Sequence, residues 1–533
     1  LNAVTNDSVG AASQGRKNSL AAWLERAVTG CLFLLAAVAP HSIAATQTAW
    51  LLALVCWVAR FFVKPRIIIY RTPLDYPLLG FFILTFISAL LSYDPDVSIG
   101  KLRAASLFTI VYLVAQNVRE RRVLRLLTLV LVASCMLNVV YTFGVFAAGR
   151  GVKVGALTAD SPLFAAGVLE GDTLLSVDGN KVHNPEDLEQ AIISERPATD
   201  KIYRGPSGNT QCIWDAQAAC VRVYRKEALL TFRLARGALL RGGTATEKLG
   251  LVRWTRGRDE RAAGFYGHYT TYAETLQLIA SLALGLFVAL PRKVNLQGLL
   301  VGLALAGMLG ALILTLTRAS WLGLLLSALT IALVGAGRRT LIICAAVALP
   351  IVITGLVVLQ QKRQVGFIDP REGSTSWRLT VWGEGARVLA SNPRHMLVGV
   401  GMDSLKRHWR EWGMFDNGRL PSGHLHSTPL QIAFERGLPA LLLWLVLLFI
   451  YGRMLWRLAR RGAVADWAGR GLALGALGGL IGFVASGLVH YNFGDSEVAM
   501  IVYFLMGLTL TIERLNRRPE EQPKLTRPAL SPL

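Results

Sequence analysis

The sequence predicts an all-α polytopic membrane protein of about twelve transmembrane helices, both termini cytoplasmic, with one inserted α+β domain. Three observations predict it. Hydrophobic residues make up 53% of the 533, charged residues only 17%, and mean hydropathy is +0.44, a composition foreign to soluble globular chains. Apolar runs near the ~20 residues that cross a bilayer recur at 24–42, 46–63, 74–92, 103–118, 123–147, 268–290, 297–316, 319–335, 340–359, 428–452, 470–490 and 496–513. The basic stretches "RFFVKPRIIIYR", "RERRVLR", "PRKV", "GRR", "RMLWRLARRG" and "ERLNRRPEEQPK" occupy alternate connections and the C-terminal tail, which sets them on the cytoplasmic side. The net charge of +22 sits mostly in such short segments, so it reads as orientation and anionic-lipid contact, with no nucleic-acid partner implied.

The first five spans form an N-terminal membrane region, residues 1–147. Arg16 and Lys17 precede the first apolar run as in a signal peptide, but Arg26 interrupts it and further spans follow, so a retained span is expected. Cys31, Cys56, Cys135 and Cys344 lie in apolar runs and read as small packing residues. Lys101 and Arg103 open the fourth span on the non-cytoplasmic side, against the charge trend; an anionic ligand or an ordinary interfacial pair would each explain them.

Residues 148–260 are too rich in turn and strand signals to be linker. Gly171 and Asp172 end a helical turn, "TLLSV" alternates as a strand, Asp178-Gly179 makes a tight turn, and "VRVYRKEALLTFRLA" reads as a hairpin. With "DSPLFAAGVLEGD", "LLSVDGNKV" and the "DLEQAI" helix, the stretch Val154 to Ile192 resembles a bacterial PDZ domain. That resemblance implies a partner peptide or protein bound as an added strand; a spacer packed on the membrane domain is the alternative. Cys212 and Cys220 lie together in this polar segment, and outside the cytoplasm a disulfide is the expected pairing.

Seven spans make the C-terminal membrane region, residues 261–516, with a second long outer loop at 360–427 and a cytoplasmic tail at 517–533. Three features fall on the outer face: Arg318 in "LTLTRASWLG", Arg378 in "STSWRLTVW", and His426 in "GHLHSTPLQIAFERG". Arginine stays ionised and offers a planar fork to phosphate oxygens. Histidine titrates near neutrality and suits general-base work. Blander roles stand beside these: Arg318 snorkelling to water, Arg378 paired with Glu372, His426 at a helix start, or His424 and His426 as two metal ligands. "GFYGHYTTYAETL" adds His268, Tyr272 and Glu274 at the outer end of the sixth span.

"LTLTRASWLG", "SWRLTVW", "VGVG" and "HSTPLQIAFERG" are similar, in this order, to motifs of the O-antigen ligase and polymerase superfamily over about 20–145 and 266–513. The family's usual Asn after the histidine is Ser427 here, and its members do not typically carry a large domain between the fifth and sixth spans. The resemblance implies a multi-pass glycosyltransferase of the bacterial inner membrane with its active site facing the periplasm. It would move a glycan from undecaprenyl diphosphate to lipid A–core, to another repeat unit or to a protein hydroxyl, inverting and without a metal or other cofactor. It implies Arg318 and Arg378 on the diphosphate and His426 near the acceptor. Lys101, Arg103, His268, Tyr272, His424 and Glu435 are secondary candidates for touching diphosphate or acceptor. A transporter of the same lipid is the non-enzyme reading, and would place polar residues near the membrane midplane.

Overall fold

Inside a bilayer every backbone N–H and C=O must be satisfied within the protein, so apolar runs of this length fold as helices. The computed structural model describes residues 4–194, 203–204, 211–212, 217–225, 228–335, 337, 373–460, 463–464 and 466–517. Among them ten helices are long and apolar enough to cross a membrane. The N-terminal region contains α1 (Val4–Val38), α2 (Ile43–Phe61), α3 (Asp75–Leu90), α4 (Pro95–Asn117) and α5 (Arg121–Ala148). The C-terminal region contains α6 (Tyr269–Ala289), α7 (Leu296–Leu314), α8 (Arg318–Gly335), α9 (Gly373–Ala390), α10 (Thr428–Arg436), α11 (Leu438–Ala459), α12 (Trp467–Gly487) and α13 (Ser496–Asn516).

Two predicted spans are revised. The run at 74–92 yields only the 16 residues of α3, short of the usual spanning length. The run at 428–452 is two helices. Gly437 adopts φ +84, and a Cβ there would lie 2.3 Å from the Leu397 carbonyl oxygen, so α10 stops and α11 starts afresh across a glycine that no side chain can replace. The span at 340–359 lies outside the described residues.

Helices α6, α12 and α13 form the centre, each with more than three-quarters of its apolar window buried. Glycines let α6 and α12 meet backbone to backbone: a Cβ on Gly285 would sit 2.3 Å from the Gly475 nitrogen. Gln277 on α6 donates to Ser327 on α8 at 3.0 Å, and Ser327 donates to the Gly478 carbonyl of α12 at 2.6 Å. Close approach and interhelical hydrogen bonds are what holds helices together where lipid and core are equally apolar.

Between α5 and α6 stands a six-stranded antiparallel sheet. Its strands are β1 (Val152–Leu157), β2 (Thr173–Val177), β3 (Asn180–Lys181), β4 (Ala218–Arg225), β5 (Ala228–Ala235) and β6 (Leu251–Arg256), in the order β5-β4-β2-β1-β6 with β3 on β2. Asp178 (φ +48) and Gly179 (φ +85) make the β2–β3 turn, and β4 and β5 form the hairpin. The edge strand β6 follows a capped turn at Thr244 and was not foreseen. Cys220 on β4 is disulfide-bonded; the side chain of Cys212 lies outside the described residues. Two stems root the sheet: Arg150 N–H donates to Gly257 O at 2.8 Å, and Lys153 pairs with Asp259 at 2.6 Å.

Candidate functional site

Arg318 is the first residue of α8. The turn before it is tight: Leu316 is left-handed at φ +52, Thr315 donates its hydroxyl to Leu312 O, and the Trp321 indole donates to the same carbonyl at 2.9 Å. The "LTLTRASW" sequence thereby folds back on α7 and places an arginine at a helix start. Arg378 lies in the second turn of α9, where it donates to Ser374 Oγ at 2.8 Å. Its alternative partner, Glu372, lies outside the described residues.

Helix α9 covers the segment before α10. The Trp382 indole donates to Leu425 O at 2.7 Å, and the Trp377 ring meets His426 edge-on at 4.9 Å. His426 is left-handed at φ +47, its N–H donating to His424 Nδ1 at 3.2 Å and the two rings 4.1 Å apart. A non-glycine residue held there costs about 1 kcal/mol or more. The surrounding bonds impose it: Gln431 accepts from Leu425 N–H at 2.7 Å, and Thr428 N–H donates to His490 O at 3.0 Å.

These elements enclose one cavity of about 680 Å³. Arg318, Arg378 and His426 line it, although more than a hundred residues of sequence separate the first from the last. His268 and His424 line it as well. Four secondary candidates do not. Lys101 pairs with Asp403 at 2.7 Å, and Arg103 is exposed at the surface. Tyr272 is fully buried against Thr142, whose hydroxyl reaches it at 2.8 Å. Glu435 is buried and accepts from Gln431, Asp403 N–H and Tyr491; it braces the cavity wall from behind.

Sequence reasoning passed over Arg261, His490 and Asp495, which also line the cavity. "VHYNFGD" between two apolar runs was the available signal, since polar residues in so short an outer connection need partners. They have them: His490 Nδ1 is 3.0 Å from Glu274 Oε1, and Asp495 accepts from Thr271 at 2.6 Å. Among the described residues no three His, Cys, Asp or Glu side chains are grouped to hold a metal ion.

Burial, with cationic neighbours second, keeps the imidazoles neutral. Burial first, then Lys406 and His268, push His424 down to about 4. Burial, then His424, Arg378, His490 and His268, hold His426 lower still. Burial, then Arg378, His424, His268 and Arg261, take His490 down to about 3. Such a site attracts anions and has unprotonated nitrogens ready at pH 7. An expected result follows. A pH profile of kcat/KM should show no histidine inflection between about pH 5.5 and 7.5, and an acid limb near the ordinary ~6.5 would contradict the burial. The sign for stability agrees: with folded pKa values below the unfolded ~6.5, the unfolded state binds protons first. The contribution is full above about pH 6.5 and is lost as pH falls toward about 4.

Residues 303–445 match the family model described as O-antigen ligase, a range that holds Arg318, Arg378 and His426. The chain is also 48% identical over 89 residues to the magnetosome formation protease MamE of Magnetospirillum gryphiswaldense, a stretch spanning 14% of this chain and only 11% of that protein. The ligase match thus falls on the part of this multi-pass helical chain that supplies Arg318, Arg378 and His426 to the cavity, and over that part the chain is similar to O-antigen ligases.

Proposed function

We propose that the chain is an inner-membrane glycosyltransferase that moves a glycan from undecaprenyl diphosphate to an acceptor hydroxyl at the periplasmic face, in the first instance lipid A–core. The observation that carries this reading is the convergence of Arg318, Arg378 and His426 on one cavity. A lipid diphosphate leaves readily once its developing charge is met, and two guanidinium forks in the cavity can meet it. The acceptor oxygen attacks the anomeric carbon from the side opposite the diphosphate, so configuration inverts. The C1–O bond to phosphate breaks with its electrons, and the hydroxyl proton passes to a neutral imidazole of the cavity, where the family resemblance puts His426 near the acceptor. Binding the diphosphate anion raises the basicity of His426, because it offsets Arg378, which adds to burial in depressing it. No step requires a metal.

The orientation rests on charge. Basic residues such as Arg60, Arg119, Arg457 and Arg514 gather at the end of the bundle opposite the cavity, which supports a cytoplasmic placement of that end and a periplasmic one of the cavity. A cavity confined to one face favours an enzyme over a transporter.

One observation favours a protein acceptor or a protein partner. The inserted sheet, PDZ-like in sequence, is stapled by Arg150 and Glu260 beside Arg261, which lines the cavity. Edge strand β6 would take an extended peptide by strand addition. Polymerisation of repeat units shares the donor and differs only in acceptor.

The test is transfer by purified protein from undecaprenyl-diphosphate-linked glycan to lipid A–core or protein, with EDTA present. Product that vanishes in His426→Ala supports the reading. Transfer retained by His426→Ala, or transfer abolished by EDTA, overturns it.

A further inference from the structure

The cavity holds a second imidazole that is better equipped to finish with a proton than His426. Among the described residues His426 has no carboxylate partner: its ring lies against Trp377 and His424, and Arg378 is among the charges acting on it. An imidazolium there would form among other cations. His490 differs. Its Nδ1 is 3.0 Å from Glu274 Oε1, which leaves Nε2 as the other ring nitrogen on a side chain that lines the cavity. Glu274 is 2% exposed and lines the same cavity, and its second oxygen, Oε2, has no hydrogen-bond partner among the described residues. A buried carboxyl oxygen without a donor is costly unless something else supplies one.

The backbone around His490 is equally fixed. Its carbonyl accepts from Thr428 N–H, two residues beyond His426, and the Thr428 hydroxyl donates to Asn492 Oδ1 at 2.8 Å. Asn492 in turn donates to Phe483 O at 2.8 Å and to Ser486 Oγ at 3.0 Å. The connection between α12 and α13 is thereby bolted to the start of α10, and His490 is carried to the cavity on a rigid mount. A carboxylate on one ring nitrogen fixes the tautomer, leaves the other nitrogen with its lone pair, and stabilises the imidazolium that forms.

We infer that His490, oriented by Glu274, is a further catalytic residue that receives the proton of the acceptor hydroxyl, while His426 stays a neutral imidazole of the same cavity. This rests on the glycosyl-transfer reading above. The acceptor O–H bond breaks and its proton joins His490 Nε2. The acceptor oxygen bonds the anomeric carbon, and the anomeric carbon–oxygen bond to the diphosphate breaks with its electron pair. The Glu274 carboxylate faces the new imidazolium. Arg378, Arg261, His424 and His268 are the charged or titratable groups around the pair, with Asp495 the second carboxylate of the cavity.

The experiment measures transfer from undecaprenyl-diphosphate-linked glycan by the full chain in detergent, comparing wild type with Glu274→Gln, His490→Gln and His490→Ala. Glu274→Gln keeps the shape and a hydrogen-bonding group but removes the charge. It is expected to lower kcat about 10²-fold with the KM for the lipid donor unchanged. His490→Ala is expected to regain rate with added imidazoles, the gain rising with the basicity of the imidazole supplied, which a purely structural histidine would not produce. His490→Gln serves as the folded control if the alanine variant aggregates, and must show the same kcat loss. Wild-type rates in folded Glu274→Gln and His490→Gln overturn the inference and leave the transfer reading intact, as does rescue that ignores basicity. No transfer by wild type to any acceptor overturns the transfer reading, and this inference with it.

Discussion

Alanine at Arg318 or at Arg378 is expected to reduce glycan transfer by at least ~10²-fold while the protein remains monodisperse in detergent, the scale on which a single preorganised charge-stabilising donor acts. Both side chains line the cavity, and neither sits in the buried helix core that holds the bundle together. Arg318 begins α8 and Arg378 lies on α9, so removing the guanidinium leaves each helix its apolar contacts. Lysine at either position keeps the charge but loses the planar fork, and should recover only part of the rate. Arg378→Ala carries a second signature. Arg378 is among the groups that depress both His426 and His490; without it, the acid limb of kcat/KM should move upward in pH. Steady-state transfer across a range of about pH 4.5 to 8 checks both, and activity near that of wild type in either alanine variant would remove the arginines from the reaction.

The helical architecture was legible because it follows from composition, run length and the side on which arginines fall. The site was legible only where a motif marked it. Arg318, Arg378 and His426 stood out as costly polar residues at membrane edges in a known order, and the cavity gathers them. Tyr272 and Glu435 looked similar in one dimension, but helical phase decides their fate. Tyr272 turns inward to Thr142, and Glu435 turns back to Tyr491 and the Asp403 amide. Lys101 found an acidic neighbour about three hundred residues away in Asp403, a pairing that no local pattern announces. Glu274 and His490 are separated by more than two hundred residues, so their pairing emerges only when α6 and the α12–α13 connection are packed together. The break at Gly437 had a local signal, since "FERGLPALL" carries Glu435, Arg436, Gly437 and Pro439 within the run, and the approach of Leu397 to the glycine fixes where the helix ends.

Two glycines four residues apart on α12 should respond oppositely to the same substitution. A Cβ on Gly475 would lie 2.5 Å from the Leu282 Cα and 2.9 Å from the Ser281 carbonyl oxygen. Those are backbone atoms, which no rotamer change can move, so α6 and α12 must separate to admit even a methyl group. A Cβ on Gly479 would meet only ordinary contacts, 3.6 Å to a Leu278 methyl and 3.7 Å to the Ser281 Cβ. Gly475→Ala is therefore expected to destabilise by about 1–3 kcal/mol, the scale of overpacking. Gly475→Leu should do so by more, and should release the folded bundle in detergent. Gly479→Ala should be neutral or stabilise by up to ~1 kcal/mol, because alanine gives up less chain entropy in a helix than glycine. Thermal unfolding of the three variants in one detergent makes the comparison, and equal midpoints for Gly475→Ala and Gly479→Ala would contradict the α6–α12 contact. The stake extends to the chemistry. Glu274 lies on α6 about eleven residues before Gly285, and His490 follows the end of α12, so this contact sets the distance between carboxylate and imidazole. A Gly475→Ala protein that still folds should lose transfer through kcat rather than through donor affinity, as the Glu274 and His490 variants are expected to.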